Sequence, residues 1–128
     1  MNLNSATLGS AGIGIAVIGA IYLVAPEFIL GVYGIKVQSA SEANLFRGAY
    51  GGMFIAFAAL FCLGALRDRF MRSARAALLV FMAGFALGRI VSIIVDGVPH
   101  ILLVGILVVE LAYSGAVLYL IRREAARA

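Results

Sequence analysis

The hydrophobic positions of this chain fall into four long runs that short polar segments separate. The runs cover residues 8–25, 45–66, 74–95 and 101–121. A bilayer core about 30 Å thick is crossed by roughly 20 helical residues, so each run is long enough to span it. The pattern predicts an all-α integral membrane protein, with a left-handed, up-and-down four-helix transmembrane bundle as the single domain of residues 1–128.

The connection between the first two runs predicts a short interfacial helix. The segment PEFILGVYGI begins at Pro26, a residue that suits the first turn of a helix, and most of its other residues are apolar. In the polar stretch that follows, Ser39 or Ser41 is expected to cap the second span. The first run is interpreted as a retained helix and not a signal peptide, because no Lys or Arg precedes it.

Composition excludes a soluble domain and several kinds of chemistry. The chain is 64% hydrophobic and only 12% charged, with a mean hydropathy of +1.10. Its one cysteine, Cys62, cannot form an intramolecular disulfide and is expected to be a small buried residue. Its one histidine, His100, is expected to cap or hydrate a loop. Without a phosphate-binding glycine loop, the sequence predicts no nucleotide site, and no other cofactor is expected. A single histidine is too few for a His-rich metal site, and the arginines at the ends of hydrophobic runs are explained by membrane topology and not by nucleic-acid binding.

The arginines predict the orientation of the bundle. Seven of them follow the second and the fourth runs, which the up-and-down pattern places on one side of the membrane: Arg67, Arg69, Arg72, Arg75, Arg122, Arg123 and Arg127. The opposite loops hold Lys36 and Arg47 against Glu27, Glu42 and Asp96. Positive charge marks the cytoplasmic side, so both termini are expected there. So strong a bias disfavours the dual topology of small multidrug transporters.

Small residues are expected to bring the helices together, because lipid offers no hydrophobic drive between them. Two glycine stripes have the GxxxG spacing, Gly48 with Gly52 and Gly84 with Gly88, and Gly12, Ala16 and Ala20 form a similar row. Packing within one chain is the preferred interpretation, and contact between copies in a homo-oligomer is the alternative. An aromatic series at helical spacing predicts core or lipid-facing positions: Tyr50, Phe54, Phe57 and Phe61.

Three ionisable residues, Arg47, Arg89 and Glu110, lie inside the spans, where charge is costly. Arg89 is roughly 10 Å from the outer end of the third span and Glu110 roughly 15 Å into the fourth, so antiparallel helices bring them to similar depth. Helical spacing adds neighbours on the same faces. The candidate ligand-binding residues are Arg47, Tyr50, Arg89, Ser92, Asp96, Glu110 and Tyr113, with Glu27 as a further candidate.

This charged cluster supports three kinds of function. The preferred one is a polar-floored cavity in the outer half of the bundle that binds a small amphipathic or lipid-like ligand. The first alternative is a structural or accessory subunit in which an Arg–Glu pair only locks the helices. The second is an enzyme that uses Glu110 as general acid or base on a lipid-like substrate while Arg89 steadies negative charge. The residues leave open whether the chain is an enzyme.

Four segments resemble a known family of small four-helix bacterial membrane proteins, catalogued as domain of unknown function 4345. They are YLVAPEFILGVYGI at 22–35, NLFRGAYGG at 44–52, GRIVSIIVDGVP at 88–99 and ELAYSG at 110–115. The resemblance covers nearly the whole chain and implies an integral protein of the bacterial inner membrane. It implies no activity and therefore gives no catalytic role to any residue. A more distant likeness to DoxX-like proteins is architectural.

The charge distribution can be tested by reporter fusions. Alkaline phosphatase fused to the C-terminus is expected to be inactive, because the arginines hold that end in the cytoplasm where the enzyme does not mature. Enzyme activity of that fusion in the periplasm would contradict the predicted topology.

Overall fold

The computed structural model describes residues 3–126, and those residues form a helical bundle. Its helices, in chain order, are α1 (Leu3–Val24), α2 (Pro26–Val32), α3 (Ala40–Leu66), α4 (Asp68–Asp96) and α5 (Ile101–Ala125). All except α2 are long and apolar enough to cross a membrane. The chain is a multi-pass membrane protein, as the four hydrophobic runs predict.

The long helices run alternately up and down between two ends. At one end, here called the termini side, the Asn4 amide donates a hydrogen bond of 2.9 Å to Glu124, which ties the start of α1 to the end of α5. At the other, here called the α2 side, the rings of Tyr33 and His100 lie 6.2 Å apart, so the segment after α2 meets the turn between α4 and α5.

Local sequence signals set the ends of three helices. Pro26 opens α2, as predicted. Ser39 caps α3, because its side chain accepts a hydrogen bond of 3.2 Å from the backbone N–H of Glu42. His100 caps α5 by accepting a bond of 3.3 Å from the backbone N–H of Leu102. These contacts confirm Ser39 over Ser41 and the capping role of His100.

Helix α3 contains a π-helical segment that the hydrophobic pattern does not predict. It covers Arg47–Gly52, between α-helical stretches at Ala40–Phe46 and Met53–Leu66. Gly51 lies in this segment against α1, where a Cβ atom would be 3.1 Å from the backbone nitrogen of Leu23. The wider π turn therefore occurs at a close approach of α3 to α1.

The core follows the order of the helices along the chain. α1 packs extensively on α3, α3 on α4 and α4 on α5, whereas α1 and α5 make few contacts. The aromatic series of α3 belongs to this core, as predicted: Phe54 packs edge-on against the ring of Phe81 at 5.4 Å, and Phe57 lies 4.9 Å from Phe81. The bundle is therefore well packed on three sides and loose between α1 and α5.

The glycine stripes do not pack the bundle, so that expectation is wrong for contacts within the chain. A Cβ atom added to Gly48, Gly84 or Gly88 meets no atom within 4 Å, and at Gly52 it meets only a carbonyl of its own helix. A GxxxG spacing makes one helix face flat but does not say which neighbour that face meets.

Other glycines allow the close approaches. A Cβ atom on Gly12 would lie 3.2 Å from the Ala58 carbonyl oxygen, and one on Gly19 would lie 3.2 Å from that of Gly51. Gly64 gives room to Ala74 on the next helix. Of the predicted small residues, Gly12 therefore does pack the bundle, and it does so between α1 and α3.

Gly12→Leu is expected to destabilise the bundle, because the new side chain would collide with Cys62 Sγ and with the backbone of α3. Overpacking of this kind costs about 1–3 kcal/mol in unfolding free energy. The measurement is thermal melting in detergent, with Gly48→Leu as the matched control that keeps the wild-type midpoint. Equal melting of the two variants would show that the α1–α3 contact is wrong.

Candidate functional site

An ion pair joins α4 and α5 within the apolar part of the bundle. The Arg89 Nε–H donates to both carboxylate oxygens of Glu110, at 2.9 and 3.0 Å. The Glu110 side chain is 7% exposed and that of Arg89 is 26% exposed. The two residues come from consecutive antiparallel helices at similar depth, as their spacing predicts.

This pairing reduces the free-energy cost of placing charged side chains in the bilayer. An unpaired charged side chain near the bilayer centre costs about 2.5–3.5 kcal/mol even on insertion scales. Arg89 lies roughly 10 Å from the end of α4, which is deep for a side chain that would otherwise reach the interface. Glu110 gives it a partner of opposite charge, so each residue depends on the other for its place in the membrane.

A cavity of about 890 Å³ lies beside the ion pair. All four long helices line it, together with α2 and the segment that follows α2. Its wall is mostly apolar. The lining residues are Ser10, Ala11, Gly14, Ile15, Ile18, Tyr22, Ile29, Leu30, Val32, Tyr33, Ile35, Phe46, Tyr50, Phe54, Phe81, Met82, Gly84, Phe85, Gly88, Arg89, Ser92, Pro99, Leu103, Ile106, Val109, Glu110 and Tyr113.

The loose contact between α1 and α5 makes room for this cavity. The Tyr113 hydroxyl donates to Ser10 Oγ at 2.9 Å, which links the two helices in the half of α1 nearer the termini side. Further toward the α2 side, both helices line the cavity, with Ile18 on one and Ile106 on the other. Gly84 and Gly88 widen the space from α4, because neither projects a side chain into it.

The structure places five of the predicted site residues at this cavity: Tyr50, Arg89, Ser92, Glu110 and Tyr113. The Tyr50 ring packs against that of Tyr22 at 5.2 Å, and so brings a residue of α1 that the sequence does not single out into the site. Tyr22 lines the same cavity as Arg89. In the sequence, the only signal for Tyr22 as a site residue is a hydroxyl within the first span, which faces the spans that carry the charged residues.

Three predicted residues do not reach the cavity. Arg47 is exposed, and its Nε–H donates to the Leu23 carbonyl oxygen at 3.0 Å, where it satisfies the end of α1. Asp96 is exposed and accepts a bond of 2.9 Å from Ser92. Glu27 is exposed in the first turn of α2. The four-charge cluster that the sequence predicts is therefore a single pair, because helix ends offer Arg47 and Asp96 nearer partners.

A second ion pair, which the sequence does not reveal, ties the termini side. Both Nη groups of Arg75 donate to Glu124 at 2.6 Å, and Asn4 bonds to both side chains. Arg75 is buried, whereas the sequence counts it among the topology charges. The remaining arginines of that set are exposed at this side, except Arg127, which lies outside the described residues. The sequence signal from which this pair could have been predicted is the acidic residue at position 124, which follows two arginines.

The described part of the chain contains no group of side chains that could bind a metal ion. Nowhere in residues 3–126 do three His, Cys, Asp or Glu side chains come together. Cys62 is a free, partly buried thiol next to Gly12. The site's chemistry is therefore that of the guanidinium, the carboxylate and the hydroxyl groups around an apolar space.

Comparison with known proteins identifies the family. The model of the domain of unknown function DUF4345 matches residues 4–121, which is nearly the whole chain, so the chain belongs to that family. No curated protein and no solved structure matches it.

The ion pair predicts coupled effects of mutation. Arg89→Met or Glu110→Met alone is expected to cost about 3–5 kcal/mol in unfolding free energy, because each leaves a buried charge without its partner. The double variant should recover much of that loss. Thermal or denaturant unfolding in detergent measures all four proteins of the cycle. Additive losses would show that the two side chains do not depend on each other.

Proposed function

We propose that this DUF4345 protein binds a small amphipathic or lipid-like molecule in the cavity beside Arg89 and Glu110. The observation that carries the proposal is an 890 Å³ space lined by apolar side chains around one ion pair. Ligand pockets in proteins have volumes of about 300–1,000 Å³ and combine an apolar wall with a few polar groups. A molecule with an apolar chain and one polar group fits this distribution.

The position of the cavity supports entry from the bilayer. α1 and α5, the two helices that make few contacts with each other, both line it. A gap between two spanning helices faces lipid, so an amphipathic molecule could enter sideways without leaving the membrane. With the arginine-rich termini side in the cytoplasm, the cavity belongs to the outer half of a bacterial inner membrane.

The ion pair by itself also fits the alternative of a structural or accessory subunit. A lock requires only that Arg89 and Glu110 pair, however, and it does not account for the large space beside them. The enzyme alternative requires a carboxyl that exchanges protons with a substrate. Both oxygens of Glu110 accept from Arg89 Nε, which favours a carboxylate that holds the arginine over one that acts on a substrate.

The proposal predicts that filling part of the cavity weakens binding. Gly84→Leu and Gly88→Leu each add a side chain at the wall of the cavity, and the new Cβ atom meets no protein atom within 4 Å. Titration with monopalmitoylglycerol, followed by native mass spectrometry in a mild detergent, should show an occupied wild type and at least about tenfold weaker binding by the variants, a loss of about 1.4 kcal/mol.

Gly48→Leu is the matched control for this experiment. Gly48 also has open space around it but does not line the cavity, so this variant is expected to bind like the wild type. Equal binding by all the variants would contradict the proposed site. Absence of binding by the wild type would favour the structural subunit.

A further inference from the structure

The cavity has N–H donors that no other protein group in the described part of the chain uses. Arg89 pairs with Glu110 through Nε alone, and its two Nη groups have no hydrogen-bond partner among residues 3–126. Among the described side chains that are not exposed, the only enclosed nitrogen or oxygen without a partner is Arg75 Nε, so both Nη groups of Arg89 stay accessible. They carry four N–H bonds in a planar fork.

Two tyrosine hydroxyl groups of the cavity are also available. No hydrogen bond engages the Tyr22 and Tyr50 hydroxyls within the described part of the chain, and neither is enclosed. Both tyrosines line the same cavity as Arg89, and the ring of Tyr22 packs against that of Tyr50. Arg89, Tyr22 and Tyr50, which are here called the donor group, come from three different spanning helices around one space.

The carboxylate of the cavity, by contrast, is already paired. Among residues 3–126, Glu110 is the only acid that lines the cavity, and both of its oxygens accept from Arg89. The Tyr113 and Ser92 hydroxyls donate their hydrogens to Ser10 and Asp96, respectively, so the donors of the cavity that remain unused within the described residues are those of Arg89, Tyr22 and Tyr50. A cationic ligand would therefore find no free carboxylate, whereas an oxygen-rich group would find several free N–H and O–H donors.

From this imbalance we infer that the cavity selects single-chain amphiphiles with an oxyanion headgroup, a carboxylate or a phosphate, held by the Nη fork of Arg89. Guanidinium binds both anions through two parallel N–H···O bonds. Glu110 contributes as a positioning residue, since its two bonds to Nε orient the guanidinium and leave the fork free. The apolar chain of the ligand lies along the aromatic wall formed by Phe54, Phe81 and Phe85. This inference rests on the proposed function.

The test compares amphiphiles that share one chain length and differ in headgroup. Palmitate, hexadecyl phosphate, monopalmitoylglycerol and hexadecyltrimethylammonium are titrated against the wild-type protein in a neutral detergent at pH 8. At least one of the two anions should bind about tenfold or more tightly than the neutral glyceride, as charge-assisted hydrogen bonds require. The ammonium compound should bind most weakly. The two anions distinguish a carboxylate site from a phosphate site, and inorganic phosphate alone tests the headgroup without a chain.

The Arg89→Met, Glu110→Met double variant tests whether a preference for anionic headgroups depends on the Nη groups of Arg89. It leaves neither charge of the pair without its partner and removes the fork, so it should lose the preference for anions over the glyceride. A wild type that binds the glyceride as tightly as both anions would overturn the headgroup inference and leave the proposed cavity standing. A double variant that still prefers anions would also overturn the headgroup inference and leave the proposed cavity standing. If no amphiphile of any charge binds, both proposals fail. The comparison within the wild type decides even if the double variant does not fold.

Discussion

The fold and the site both depend on the need to neutralise charge inside the bilayer. Arg89 and Glu110 lie too deep for either to reach water cheaply, and each is tolerable only because the other is within hydrogen-bond distance. That requirement fixes the rotation of α4 and α5 about their axes, because both side chains must point at the same place. It also keeps a guanidinium next to an apolar space, where its unused N–H groups are the strongest polar feature.

A second constraint is the unequal packing of the bundle. Arg75, Glu124 and Asn4 join three spanning helices at the termini side, and Tyr113 joins Ser10 somewhat deeper. On the α2 side, close contact runs from α1 to α3 through Gly19 and Gly51, and α1 and α5 are left apart. The chain is therefore closed at one end and hollow toward the other, which places the cavity beside the ion pair.

The sequence predicts the features that follow from strong energetic rules. Run length gives the four spans, and the cost of buried charge brings Arg89 to Glu110. The features that the sequence does not predict are those that depend on which helix packs against a given helix face. Gly84 and Gly88 satisfy a packing motif but line a cavity, and Gly51 packs without one. The sequence places Arg47 and Asp96 in the charged cluster, but in the structure each forms a hydrogen bond with another group nearby. Arg75 looks like a topology charge, and only the fold shows its partner, 49 positions along the chain.

The central claim is that the space between α1 and α5 beside Arg89 is a binding site for an amphiphile. Crystals grown in a lipidic mesophase containing a brominated fatty acid test it most directly, because bromine can be located by anomalous scattering. The account predicts a bromine peak between α1 and α5, with the carboxylate of the same molecule next to the Arg89 guanidinium. A structure in which α1 and α5 pack together along their length and bromine is found only outside the bundle would contradict it.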